Sequence, residues 1–307
     1  MKRQLCIILA AMVMLIGCQS REAEESSESA SASASQPSAP ESSRSVPESS
    51  AAESSTVQES QPEEPASVAP AAPTVLTLVI PEGYTLARIG MLLEEKGVCT
   101  VGEFIEATQN FDSTGYVLLE GRQDDHRRCF TLEGYLFPAT YEISTADSPD
   151  AIVRRMVNQS EQRLNRDLLM RIDQSGYSVD EIITMASIIE KEAFGHDSMR
   201  NIASVLHNRL FVGMQLQCDV TINYVEGAIK PFITGDINYY NSYYNTYKCA
   251  GLPAGPICNP GMAAIEAALN PTDTDYYYFV TDAEQNYYFA ATWDEHQANV
   301  RAAGIQY

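Results

Sequence analysis

Basic residues are scarce in this chain: 20 Lys and Arg stand against 41 Asp and Glu over 307 residues, a formal net charge of −21. A surface with that balance repels phosphate backbones, which excludes nucleic acid as a partner. Long apolar runs are missing too, and none reaches the roughly 20 residues that a bilayer-spanning helix needs. There is no G-x-S-x-G elbow, no G-x-x-x-x-G-K-[ST] loop and no G-x-G-x-x-G fingerprint, which removes the common serine-hydrolase, phosphate-loop and dinucleotide signatures. Without a Cys-x-x-Cys pair or a His-Cys cluster, neither metal nor cofactor is expected.

Large apolar side chains are nearly absent from residues 19–73, a stretch of Ser, Ala, Glu and Pro. It cannot bury enough surface to offset chain entropy, so it reads as a disordered tether whose negative charge keeps it extended. Ahead of it, Met1-Lys2-Arg3, an apolar run from Leu5 to Ile16 and Leu15-Ile16-Gly17-Cys18 have the form of a secretory signal. Residues 1–18 resemble a bacterial lipoprotein signal, which implies lipidation at Cys18 and an extracytoplasmic chain anchored to the cell membrane. Cys6 would leave with the signal. Five thiols then remain, Cys99, Cys129, Cys218, Cys249 and Cys258. Cys249 with Cys258 would close a short loop, but spacing sets no connectivity and five reduced thiols fit equally.

The most informative stretch is Tyr177 to Phe194. Ser178 and Glu181 form a capping box that starts a helix. At helical spacing Ile182, Ile183, Met185, Ala186, Ile189 and Ala193 gather on one apolar face, with Lys191 opposite. Glu190 and Glu192 leave the helix at the margins of that face. Either they are solvated flank charges, or one is desolvated enough to hold a proton near neutrality, as a general acid must. Periodicity alone does not choose between them.

Around this helix the chain reads as α+β. Val75 to Ile80 is a strand, Leu86, Ile89, Leu92 and Leu93 mark a helix ending near Gly97, and Thr100 with Glu103 caps a second helix. Glu133 and Tyr135 belong to a block, Leu132 to Tyr141, that suits either a wall against sugar rings or a buried aromatic cluster. Ser148-Pro149 opens one long helix to about Ile172. Arg200 to Phe211 is another helix, from which Asn208 and Arg209 could bind acetamido groups or carboxylates, unless Arg209 pairs with a structural acid. Leu216 to Thr221 is read as a strand or loop carrying Asp219 and Thr221. The Tyr- and Asn-rich stretch Tyr239 to Tyr247, including Tyr244, Asn245, Thr246 and Tyr247, offers stacking rings and amides, as a neutral-sugar groove requires. Asn259-Pro260 starts a helix that stops at Asn270-Pro271, Tyr276–Val280 and Tyr287–Ala290 form a hairpin, and Thr292 with Glu295 caps the last helix. On it, His296 is read as making a structural hydrogen bond in preference to a catalytic one.

M-A-S-I-I-E-K-E, then V-L-H-N-R-L-x-x-G-M-Q-L-Q-C-D-V-T, Y-N-T-Y-x-x-x-G-L-P-x-G-P-I and N-P-G-x-x-A-I-x-A-A-x-N-P follow one another in order. Together they resemble the endolytic murein transglycosylase family, the YceG-like proteins, over essentially everything from Val75 onward. The resemblance implies a small LysM-like module at 74–112 and a mixed α/β YceG-like catalytic domain at 113–307. It makes Glu192 the catalytic acid that cleaves between N-acetylmuramic acid and N-acetylglucosamine. The set Glu190, Asn208, Arg209, Asp219, Thr221, Tyr244, Asn245, Thr246, Tyr247, Glu133 and Tyr135 would bind substrate. Peptidoglycan glycan strands are the implied partner, beside the peptidoglycan synthesis machinery and the membrane that holds the lipid. One departure is Val220, where the family pattern has Pro. Two other readings stand beside this one: a lipoprotein that binds cell-wall glycan without turnover, and a soluble-ligand receptor, which the lack of two α/β lobes disfavours.

Overall fold

The computed structural model describes residues 73–120 and 125–305; the signal, Cys18 and the tether up to residue 72 lie outside the described residues. The described part is a mixed α+β structure. Strand β1 (Val75–Val79) pairs antiparallel with β2 (Thr140–Ser144), Val75 opposite Ser144 and Val79 opposite Thr140. Between them run α1 (Leu86–Glu95) and α2 (Val101–Gln109). The first strand's partner therefore lies well beyond residue 112. Helix α1 buries Leu86, Ile89 and Leu93, and α2 opens on the expected Thr100–Glu103 capping box.

The expected long helix after Ser148-Pro149 is two helices, α3 (Pro149–Arg163) and α4 (Arg166–Ser175). Asn165 decides the break. Its side chain accepts from Leu168 N at 3.1 Å and so starts a new helix, offering the backbone a local partner that competes with continuation.

Helix α5 (Val179–Glu192) begins on the Ser178–Glu181 box, as its sequence requires. Every residue from Ile182 to Ile189 is buried, Thr184, Ser187 and Ile188 included, so the single apolar face expected from periodicity is instead a helix enclosed all round. It packs against α4, α6 (Met199–Phe211), α7 (Asp219–Tyr224) and α9 (Met262–Leu269). Ser187 tolerates that burial because its hydroxyl donates to Thr184 O at 2.7 Å and accepts from Ile257 N at 3.0 Å. Gly134, at φ +88°, lets the 132–137 loop lie against this core: a Cβ there would meet Pro256 at 2.6 Å and Ile183 at 2.9 Å.

The stretch expected as a strand or loop at Leu216–Thr221 turns helical at Asp219, giving α7. Val220 sits in the first turn, where a backbone N–H has no helical partner, so the position that the family pattern fills with Pro is one where either residue fits. Helix α8 (Ile237–Tyr244) follows, and α9 starts at Met262, two residues after Pro260. The hairpin is β3 (Tyr278–Thr281) with β4 (Tyr287–Ala290), and α10 (Trp293–Ala302) carries the Thr292–Glu295 capping box. The five cysteines outside the signal are unpaired. Among the described residues, no helix is long and apolar enough to cross a membrane, and no cluster of His, Cys, Asp and Glu could hold a metal ion.

Candidate active site

Glu192 is the last residue of α5, and its partly buried side chain lines a groove of about 720 Å³. Asp219 and Tyr247 line it with Glu192, as do Tyr278, Phe279 and Val280 of β3 and Trp293, His296, Gln297, Val300 and Arg301 of α10. Burial pushes the Glu192 carboxyl up to about 7, and the Asp219 carboxylate adds to that rise, while the Cys218 thiol works against it. An acid poised there exchanges its proton readily at neutral pH, as a group that must both give and take one requires.

Glu190, two residues earlier, goes elsewhere. Its carboxylate accepts from Gly261 N at 3.1 Å, at the start of α9, and its aliphatic stem packs beside Gly83. Burial raises its pKa as well, but it does not line the groove.

The 215–219 segment needs support, because Gln217 holds a left-handed φ of 55°, uncommon for a residue with a Cβ. Arg209 supplies much of it. Its Nη1 donates to Gln215 O at 3.1 Å and Leu216 O at 2.8 Å, and its Nε to Tyr277 O at 2.6 Å. The guanidinium borders the groove; its Nε and Nη1 are held by groups that join this segment to the chain just before the hairpin, and it pairs with no structural acid among the described residues. Asn208 does similar work away from the groove, donating to Thr274 O at 2.8 Å and Tyr276 O at 2.9 Å.

Thr221, Tyr244 and Thr246 are likewise framework. Thr246 Oγ1 accepts from Cys218 N at 2.9 Å, Thr246 O accepts from Gln217 N at 3.1 Å, and the Thr221 hydroxyl donates to Cys218 O at 2.8 Å. All three side chains are buried, Tyr244 against Tyr224 at 5.3 Å between ring centroids. Asn245 ends α8 and accepts from Tyr247 N at 2.9 Å, outside the groove lining. Tyr247 itself donates to Asp219 Oδ1 at 2.7 Å, which fixes that carboxylate on the groove wall.

Glu133 and Tyr135, expected as a possible sugar wall, are each 1% exposed and form the buried alternative. The Glu133 carboxyl accepts from Leu86 N at 2.9 Å, Tyr224 Oη at 3.1 Å and Asn259 Nδ2 at 3.2 Å, tying α1, α7 and the loop before α9 together. Burial raises it to about 8 against the pull of those donors. Tyr135 donates to Asp180 at 2.9 Å, beside the Arg128–Asp180 ion pair.

Of the twelve residues expected to act on or bind substrate, the groove thus gathers Glu192, Asp219, Tyr247 and Arg209. It also gathers residues that the sequence reading did not single out: Gln217, Tyr278, Phe279, Trp293, Gln297 and Arg301. The spacing of Trp293, Gln297 and Arg301, four apart on one helix, was the available signal. His296 is 8% exposed, its Nδ1 has no hydrogen-bond partner, and its ring stacks on Tyr278 at 5.1 Å, so the structural hydrogen bond expected of it is absent at that atom. Burial and then the neighbouring Arg209 charge lower its pKa, which favours the neutral ring.

A profile described as the YceG-like family matches residues 56–302. A protein named endolytic murein transglycosylase from Streptococcus pneumoniae serotype 2 (strain D39) is 34% identical over 250 residues, covering 75% of this chain and 45% of its own length. One of the same name from Bacillus subtilis (strain 168) is 41% identical over 166 residues, covering 54% of this chain and 46% of its own. The chain therefore spans less than half the length of these relatives. A crystal structure described as a yceG-like protein from Listeria monocytogenes aligns with a TM-score of 0.62 at 33% identity, covering 73% of this chain and 75% of that one.

Proposed function

The chain belongs to the YceG-like family, and on that premise we propose that it is an endolytic peptidoglycan lytic transglycosylase with Glu192 as its acid. One observation carries the reading: a partly buried carboxyl, raised to about 7, borders the same groove as Asp219 and Tyr247. Protonated Glu192 gives its proton to the oxygen joining N-acetylmuramic acid to N-acetylglucosamine, and the bond from that oxygen to the muramic C1 breaks. The muramic 6-hydroxyl oxygen bonds to C1, and its proton returns to the Glu192 carboxylate. The products are a 1,6-anhydromuramyl end and a free 4-hydroxyl on the glucosamine, with no water consumed.

The same proposal places the enzyme outside the cytoplasm on a lipid-bearing Cys18, with 19–73 as a tether that lets it reach nascent strands beside the synthesis machinery. Under it residues 74–112 are the LysM-like module, which either binds glycan or braces the catalytic domain. Purified protein incubated with uncrosslinked glycan strands tests the chemistry: mass spectrometry should find anhydro ends, lost in Glu192→Gln. Because Asp219 shares the groove, a two-carboxylate hydrolase is the second reading. It would leave reducing muramic ends carrying solvent oxygen in H₂¹⁸O. Binding without any cleavage would leave a glycan-binding lipoprotein.

A further inference from the structure

Helix α10 turns one row of side chains to the groove: Trp293, Gln297 and Arg301, with His296 and Val300 between them. At four-residue spacing the row presents an aromatic ring, an amide and a cation about 6 Å apart along the helix. That step is close to the advance of one ring along a β-1,4-linked glycan. Trp293 is 52% exposed, which leaves half of a large ring surface open at the groove. Its indole is braced by Tyr278 at 5.6 Å and His296 at 5.3 Å between ring centroids, with Tyr278 in turn stacked on His296 and faced by the Arg209 guanidinium at 5.3 Å. A braced, half-exposed ring on a groove wall suits stacking against the C–H face of a sugar.

Arg301 needs a reason of its own. A cation in the last turn of a helix complements the helix dipole, and that alone would account for an exposed Arg. Yet this one borders the groove and forms no ion pair with its carboxylates, Glu192 and Asp219, in a chain of net charge −21 that repels anions in general. Arg301 is the second cation of the groove, and unlike Arg209 its side chain has no hydrogen bond to a carbonyl among the described residues, so it can select for an acidic group there.

We propose that the Trp293–Gln297–Arg301 row is a subsite for a peptide-bearing muramyl residue, Trp293 stacking on its pyranose and Arg301 pairing with a carboxylate of its stem peptide. The subsite rests on the transglycosylase reading for its ligand class. Gln297, between the two, reaches the acetamido group. The enzyme therefore prefers strands that still carry their peptides over bare glycan.

Trp293 is the chain's one tryptophan, so its emission reports on this wall directly. The full chain carrying Glu192→Gln, which prevents turnover, is titrated with two probes: an N-acetylglucosamine tetrasaccharide, and a muramyl-glucosaminyl tetrasaccharide bearing stem peptides. Both should shift Trp293 emission saturably, the second with about tenfold tighter binding. Arg301→Gln, added to the same background, should remove the tenfold difference and leave the affinity for the bare sugar unchanged. In calorimetry Trp293→Ala should weaken both probes. An unchanged emission with both probes overturns the subsite, as does an Arg301→Gln variant, folded by circular dichroism, that still prefers the peptide-bearing probe. Wild-type formation of anhydro ends is scored separately. Cleavage with no emission change defeats the subsite alone, and an emission change without cleavage defeats the transglycosylase reading alone.

Discussion

The hydroxyl of Tyr287 donates to the backbone carbonyl of Glu192 at 2.8 Å and accepts from the amide of Phe194 at 2.7 Å, so one side chain of the hairpin spans the exit of α5. Helix-end carbonyls have no partner within their own helix, and this one would otherwise be free to fray. The bond fixes the backbone from which the acid projects. Tyr287→Phe keeps the ring packed on Phe289 and Phe279 and removes only the hydroxyl. On steady-state release of anhydro ends, kcat should fall about tenfold with KM changed less than twofold, the cost of loosening one reacting group by about 1.4 kcal/mol. A lowered melting temperature with kcat intact would mean that the bond only holds the fold.

Exchanging the two acids separates their roles. Glu192→Gln should lower the rate by about a thousandfold, within the range of a lost general acid. Glu190→Ala should leave most activity while costing about 1 kcal/mol of stability, because Gly261 N loses its acceptor. Thermal melts and anhydro-end assays on both proteins check this pair. The reverse pattern would move the acid to Glu190.

The pH dependence follows from the position of Glu192 near 7. The first step needs the protonated form, so kcat/KM should fall as pH rises through about 7. Asp219→Asn removes the charge that helps keep the proton on, so the alkaline limb should move to lower pH. Stability carries the same sign. A carboxyl whose folded pKa is about 7 against an ordinary 4.5 binds more protons folded than unfolded in that interval. Its contribution is full below 4.5 and is lost as pH rises through 7. Glu192→Gln should flatten that loss, melting higher than wild type at pH 8 while being inactive. An alkaline limb unmoved by Asp219→Asn would show that the two carboxylates do not interact.

Glu133→Ala strips the shared acceptor from Leu86 N, Tyr224 Oη and Asn259 Nδ2 at a site 1% exposed. Stranded buried donors and an empty volume should cost about 2–4 kcal/mol, seen as a lower midpoint in urea. If Glu133 instead touched substrate, the change would raise KM with the midpoint unaltered.

What the sequence by itself determined is local and ordered. Capping boxes at Thr100, Ser178 and Thr292 set where helices begin, because those bonds form within four residues of chain. The ordered blocks marked the family, and the hairpin was readable from its two runs on either side of Asp282 to Asn286. The break at Asn165 and the helical turn at Asp219 escaped it, since both compete with neighbouring patterns of similar strength. Only the tertiary structure decided which polar groups face ligand. Asn208, Thr221, Thr246 and Glu133 carry the side chains expected of a sugar site, but their partners are framework groups from 3 to 126 positions away, and no periodicity encodes such meetings. Glu190 and Glu192 differ by two positions, so they leave the helix roughly 200° apart. One direction met the amide of Gly261 and the other an open groove, a choice made by what α9 and the hairpin bring to each side of the same helix.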